Sequence, residues 1–161
     1  SNSSGEKDFY FSKSLSGNSS FSANLASTPD KVKIKVECIE IDKYFKTGFQ
    51  YPVKFIKIDC EGSELFVVKS LEKTILMHRP ILFIELSRKW SAAFGYHPDE
   101  VLKILKIGHD YICITITDEY SLSVIDSVTD SLTMTNFLFV PAEGYQDFER
   151  SFINSIEKIT K

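Results

Sequence analysis

The chain has no excess of positive charge: 19 Lys+Arg stand against 22 Asp+Glu, a formal net charge of −3. Without spare cations to displace counterions, a nucleic-acid backbone is excluded as the main partner. No apolar run approaches the roughly 18–20 residues of a membrane span, and no signal-peptide pattern opens the chain, so no membrane partner is expected. Cysteine is scarce. Cys38, Cys60 and Cys113 are odd in number and form no C-x-x-C. That argues against a disulfide framework or a cysteine metal site and for buried thiols in a reducing, cytoplasmic compartment. G-x-S-x-G, P-loop, H-E-x-x-H and G-x-G-x-x-G signatures are all missing.

What remains is an ordinary globular composition, 43% apolar and 25% charged over 161 residues, enough for one domain with a modest core. Residues 1–30 are rich in Ser, Asn and Gly and read as loop, with a short strand only at Asp8 to Phe11. "KVKIKVECIEI" alternates strictly, so Val32, Ile34, Val36 and Cys38 are expected on a buried face. A short helical turn follows at Asp42 to Phe45.

"VKFIKID" (residues 53–59) is a strand. From Ser63 to about Met77 the spacing of Leu65, Val68, Leu71 and Ile75 predicts one amphipathic helix. Pro80 opens "ILFIEL", a continuous apolar run of the kind a covered parallel strand shows. "SRKWSAAFGYH" reads as loop, and Pro98-Asp99-Glu100 starts a helix that Gly108 ends. "YICITIT" and "TMTNFLFV" are strands, with a short strand between them near Leu122. Phe148, Phe152, Ile156 and Ile159 give residues 143–161 an amphipathic helix.

Strand and helix alternate, which predicts an α/β three-layer sandwich of parallel strands joined by right-handed crossovers, with the last two strands as an antiparallel pair at one edge. Ligands in such sheets bind beyond the carboxyl ends of the strands. Asp59 and Glu61 follow one strand and Glu85 ends the next, so all three fall on one rim. A carboxylate ending an apolar strand needs a partner. These acids could hold a cation, bind hydroxyls or take a proton. Glu64 suits simple helix-end chemistry, and Gly62 suits a tight turn or a close approach. His78 reads as a helix-end cation and His109 as solvated. Arg88, Trp90 and His97 lie in the segment after Glu85 and are substrate-wall candidates.

"VKFIKIDCEGSELFVVKSLEKTILMHRPILFIEL" resembles the FkbM-type methyltransferase family. Lys57, Ile58, Asp59, Glu61, Gly62 and Glu64 match its K-I-D-x-E-G-x-E segment, and Arg79, Pro80 and Glu85 match its "RP" and its strand ending in Glu. The stretches "SNSSGEKDFYF", "VECIEIDKYF", "YHPDEVLKILKIGHDY" and "TNFLFVP" extend the likeness over about residues 1–142. The resemblance implies a Rossmann-like fold using S-adenosylmethionine, typically on hydroxyls of sugars or natural products. It places Asp59 on the catalytic rim near the cofactor's sulfonium, with Glu61 and Glu85 binding or orienting a small-molecule or glycan acceptor.

The family's glycine-rich turn and the acid after its second strand have no counterpart in this sequence. The chain is therefore expected to be the C-terminal half of the domain, lacking the first three strands: residues 1–50 irregular plus one strand, and 51–142 a βαβαββ core. Alone, it is expected to be inactive. Two other readings stand beside this one. One is a non-catalytic module pairing through the exposed strand 53–59; the other is a carboxylate metal site on Asp59, Glu61 and Glu85.

Overall fold

Strict alternation does produce a strand at Lys31–Cys38 (β2), and it pairs antiparallel with a longer first strand than expected, Gly5–Ser12 (β1). The computed structural model describes residues 3–14, 19–25, 30–45, 51–129 and 135–159. The β1–β2 ribbon is a sheet of its own. Its register sets Phe9 opposite Ile34 and Phe11 opposite Val32, so one face is apolar. That face is not buried as the alternation implied: Cys38 is 7% exposed, but Val32 and Ile34 are 38% and 43% exposed.

After a helical turn at Ile41–Tyr44 (α1), the main sheet begins with Phe55–Ile58 (β3). The long apolar periodicity that follows is cut into two helices, Glu64–Ser70 (α2) and Glu72–His78 (α3), rather than one. Leu71 breaks the pattern at φ −109°, and a distant side chain supplies the new helix's start. The Asp42 carboxylate accepts from Lys73 N (2.7 Å), Thr74 N (3.2 Å) and Thr74 Oγ1 (2.6 Å). Orphan N–H groups of a first turn are thereby satisfied from thirty residues upstream. Arg79 ends α3 in the left-handed region, and Pro80 leads into Ile81–Glu85 (β4).

The segment expected as loop contains a helix, Arg88–Ala92 (α4). Asp99–Lys103 (α5) follows and widens into a π-helical turn at Ile104–Gly108. Next come Tyr111–Ile116 (β5), the short Leu122–Val124 (β6) and Asn136–Pro141 (β7); Thr133 and Met134, the expected start of the last strand, lie outside the described residues. Tyr145–Ile159 (α6) closes the chain with no buried residue.

The main sheet runs β3-β4-β7-β5-β6, with β3 and β4 parallel and β7 antiparallel to both its neighbours. β5 and β7 therefore pair antiparallel as expected, but not as an edge pair. β7 is inserted between β4 and β5, and β6 forms the edge. Phe137 and Phe139 are fully buried and Val140 nearly so, which suits an interior strand. At the other end, no strand among the described residues covers the outer side of β3.

A core of Leu65, Val68, Ile75, Leu82, Ile84, Val101, Leu105 and Phe137 joins the helices to the sheet. Arg79 ties α3 to the segment after β7. It bonds Glu143 through Nε (2.8 Å) and Nη2 (2.7 Å), donates to the carbonyls of His109 and Asp110, and holds the Glu143 carboxyl down at about 2.

The Asp42 cap is a testable joint. Asp42→Ala should cost about 1–2 kcal/mol of unfolding free energy by urea titration, the usual range for losing a helix cap. A midpoint unchanged within error would mean that α3 starts without it.

Candidate active site

The register that pairs Ile58 with Ile84 sets the next residues, Asp59 and Glu85, side by side at the carboxyl ends of parallel strands. Between β3 and α2 the chain turns through two left-handed residues, Glu61 (φ +50°) and Gly62 (φ +97°). A Cβ on Gly62 would lie 2.6 Å from the Trp90 carbonyl oxygen and 2.7 Å from the Phe94 ring. Gly62 is thus needed both for the turn and for the approach of α4.

The turn is held from inside by Glu64, only 2% exposed. Its Oε1 accepts from Cys60 N and Gly62 N, each at 3.0 Å, and its Oε2 accepts from the Tyr96 hydroxyl at 3.2 Å. Helix-end chemistry describes Glu64 correctly, although the N–H groups it satisfies belong to the turn. Ser63 Oγ donates to the Cys60 carbonyl (2.8 Å), and from the ribbon side Ser20 Oγ donates to the Glu61 carbonyl (3.1 Å).

The three rim acids have different environments. Asp59 is paired with Lys57 Nζ at 2.9 Å, which holds its carboxyl below the ordinary value; it also hydrogen-bonds Glu85. Glu85 is pushed up, first by burial and then by that bond to Asp59, while Thr135 Oγ1 donates to it at 3.2 Å. Of this pair Glu85 is the member whose proton affinity is raised. Glu61 is raised to about 7, mainly by burial and then by the charges of Glu85, Asp59 and Glu64.

Asp59, Glu61 and Ser63 also line a cavity of about 700 Å³ between the β1–β2 ribbon and α2. On the other side of the turn, Glu61, Glu85 and Trp90 border a narrow cleft. Trp90 thus joins the acids, though at the cleft rather than the cavity. Arg88, exposed at the start of α4, borders neither. His97 is drawn to α5 instead: its Nδ1 accepts from Asp99 N at 3.2 Å. His109, expected in solvent, has a buried Nδ1 without a hydrogen-bond partner, since the Arg79 clamp packs the turn that carries it. Among the described residues no three His, Cys, Asp or Glu groups are arranged to hold a metal ion.

Tyr96 and Ser20 escaped the reading of the sequence, and Lys57 entered it as a motif residue rather than as the partner of Asp59. Lys57 was legible, because residues two apart on a strand face the same side and Lys57 precedes Asp59 by two. Tyr96 and Ser20 act across long separations in sequence and left no local signal.

Gly62→Ala should cost about 3 kcal/mol or more, since strain and a backbone clash add. Gly95→Ala, also at positive φ but with open space around its Cβ, should cost only about 1–2 kcal/mol. Equal costs would contradict the close approach of α4. Glu61 makes a pH prediction. The folded state holds its proton more tightly than the unfolded chain, so stability present below about pH 4.5 is lost as the pH rises toward 7. Glu61→Gln should flatten that decline in Tm; an unaltered profile would contradict the raised proton affinity.

Residues 1–113 match the methyltransferase FkbM domain, a span that runs from the ribbon through the acidic turn and into β5. Searches of curated proteins and of solved structures gave no match. The resemblance expected over about 1–142 is thus supported as far as Cys113. With its acidic turn inside that match, the chain belongs to the FkbM methyltransferase domain family.

Proposed function

We propose that the rim of Asp59, Glu61 and Glu85 is the acceptor side of an S-adenosylmethionine-dependent methyltransferase with a Rossmann-like sheet, acting on a hydroxyl of a sugar or natural product. The observation that carries this reading is a set of carboxylates of unequal proton affinity beside a cavity, in a chain of this family. The acids fit a cationic methyl donor. When bound, that donor supplies an electrophilic methyl group on a positively charged sulfur.

Each acid then has its own task. Asp59, kept ionised by Lys57, offers a fixed negative charge to the sulfonium. Glu85, beside Asp59 and held by Thr135 Oγ1, borders the acceptor on the same rim. Glu61, titrating at about 7, would be suited to accept the proton of an acceptor hydroxyl. Desolvation and aim of the hydroxyl supply much of the remaining acceleration. Three free thiols, Cys38 and Cys113 buried among them, suit a reducing, cytoplasmic setting.

The uncovered side of β3 favours one further element: strands from a longer polypeptide would pair there and bring the remaining cofactor contacts. The same edge is what a non-catalytic pairing module would use. Calorimetric titration of S-adenosylmethionine separates the two. The expected result is binding by a version extended upstream by about 100 residues, and little or none by the 161 residues alone. Binding by neither would favour the pairing module.

In the extended enzyme, Glu61→Gln should lower kcat about 100-fold while leaving cofactor affinity unchanged. Asp59→Asn should weaken cofactor binding itself. Full turnover in both variants would remove these residues from the site.

A further inference from the structure

Glu61 holds an uncommon backbone conformation for a residue with a side chain. At φ +50° it stands in the left-handed region, where surrounding structure has to keep it. Glu64 holds the N–H groups on either side of it, those of Cys60 and Gly62. The Glu61 carbonyl is taken up from the opposite wall of the cavity, by Ser20 Oγ at 3.1 Å, from 41 residues upstream.

Ser20 is only 1% exposed and is held to the ribbon. It exchanges two backbone bonds with Tyr10, at 2.9 and 3.0 Å, and its hydroxyl oxygen accepts from Ser22 N at 3.2 Å. Before it, Ser19 Oγ accepts from Ser12 N at 3.2 Å. After it, the Phe21 ring meets Phe9 edge to face, with centroids 5.1 Å apart. Three successive residues are thus fastened to β1, and the middle one reaches the acidic turn.

We infer that Ser20 is a positioning residue, which through the Glu61 carbonyl keeps the Glu61 side chain enclosed at the cavity while the β1–β2 ribbon is docked. Its effect on turnover rests on the reading of Glu61 as the proton acceptor; its hold on Glu61 does not. A hydrogen bond fixes a direction, which apolar packing across the cavity does not. Removing the hydroxyl leaves a carbonyl and the Ser22 N–H short of a partner, and the turn relaxes toward water. Burial is the largest contribution to the raised proton affinity of Glu61, so rewetting lowers it. The charges of Asp59 and Glu64 on the turn and of Glu85 at the end of β4 act in the same upward direction, and water weakens them too. Lys7 of β1 and the thiols of Cys38 and Cys60 line the same cavity. Withdrawal of Lys7 with the ribbon acts the other way, but water entering the opened cavity screens its charge.

Carbon-13 NMR titration of the carboxyls tests the inference on the chain as it is, with Glu61→Gln identifying the Glu61 signal. The Glu61 midpoint, about 7 in the unaltered chain, should fall by about one pH unit in Ser20→Ala, a tenfold loss of proton affinity. Ser20→Gly serves as the second deletion, and circular dichroism checks that each variant folds. Ser20→Thr, which keeps a hydroxyl at this position, should restore the midpoint. In the extended enzyme, Ser20→Ala should lower kcat about tenfold and move the acid limb of its pH profile down, with S-adenosylmethionine affinity unchanged.

A Glu61 midpoint unmoved by either deletion overturns the inference. An equal fall in Ser20→Thr also overturns it, because the hydroxyl is then not the cause. A shifted midpoint with unaltered turnover overturns the reading of Glu61 as the proton acceptor and leaves its hold by Ser20 standing.

Discussion

The site depends on one buried carboxylate. Glu64 is almost fully enclosed, and its two oxygens take up two backbone N–H groups and a phenol. An ionised carboxylate in such a place is tolerated only when its lone pairs are used. Here they are used on groups that would otherwise be stranded, the N–H donors of a turn bent too sharply for a strand or a helix to satisfy. The left-handed Glu61 and Gly62 and the approach of α4 to the turn belong to that fixed bend, while the β3–β4 register places Asp59 beside Glu85.

After burial, the same anchor adds to the electrostatics. A buried negative charge at Glu64 makes every further negative charge nearby harder to carry, and it contributes to the raised affinity of both Glu61 and Glu85 for a proton. Lys57 offsets this at one position only, Asp59. The outcome is a graded set: Asp59 with its proton affinity lowered, and Glu85 and Glu61 with theirs raised, Glu61 to about 7. Four interchangeable carboxylates on a solvated surface would not sort themselves in this way, because water would screen their differences.

How far the sequence announced all this varied with distance along the chain. The change from strand to helix at Asp59–Ser63, the parallel neighbour ending in Glu85 and the helix-end character of Glu64 are local patterns, and each is visible in ten residues. The break at Leu71 is not, because the apolar period runs through it unbroken and the cap comes from Asp42. α4 was hidden by small and aromatic residues of weak periodicity in "SRKWSAAFGYH". The place of β7 had a legible clue, an apolar run too continuous for an edge, but strand order depends on which neighbours close on it. Val32 and Ile34 misled for the converse reason. Alternation specifies which side chains share a face, and says nothing of what covers it.

The two walls of the cavity differ in how firmly they are held. The acidic wall belongs to the main core, through Ile58, Leu65 and Ile84. The opposite wall is a two-stranded ribbon, a unit marginal by itself. Its polar face is laced by Asp8 between Lys33 and Lys35, an exposed pairing that contributes little. Its links to the body are chiefly Cys38, the phenylalanines of the cavity and the bond from Ser20 to Glu61. Opening this wall therefore costs less than disturbing the acids. The acids thus sit on the stiff side of the cavity and the ribbon forms its yielding side.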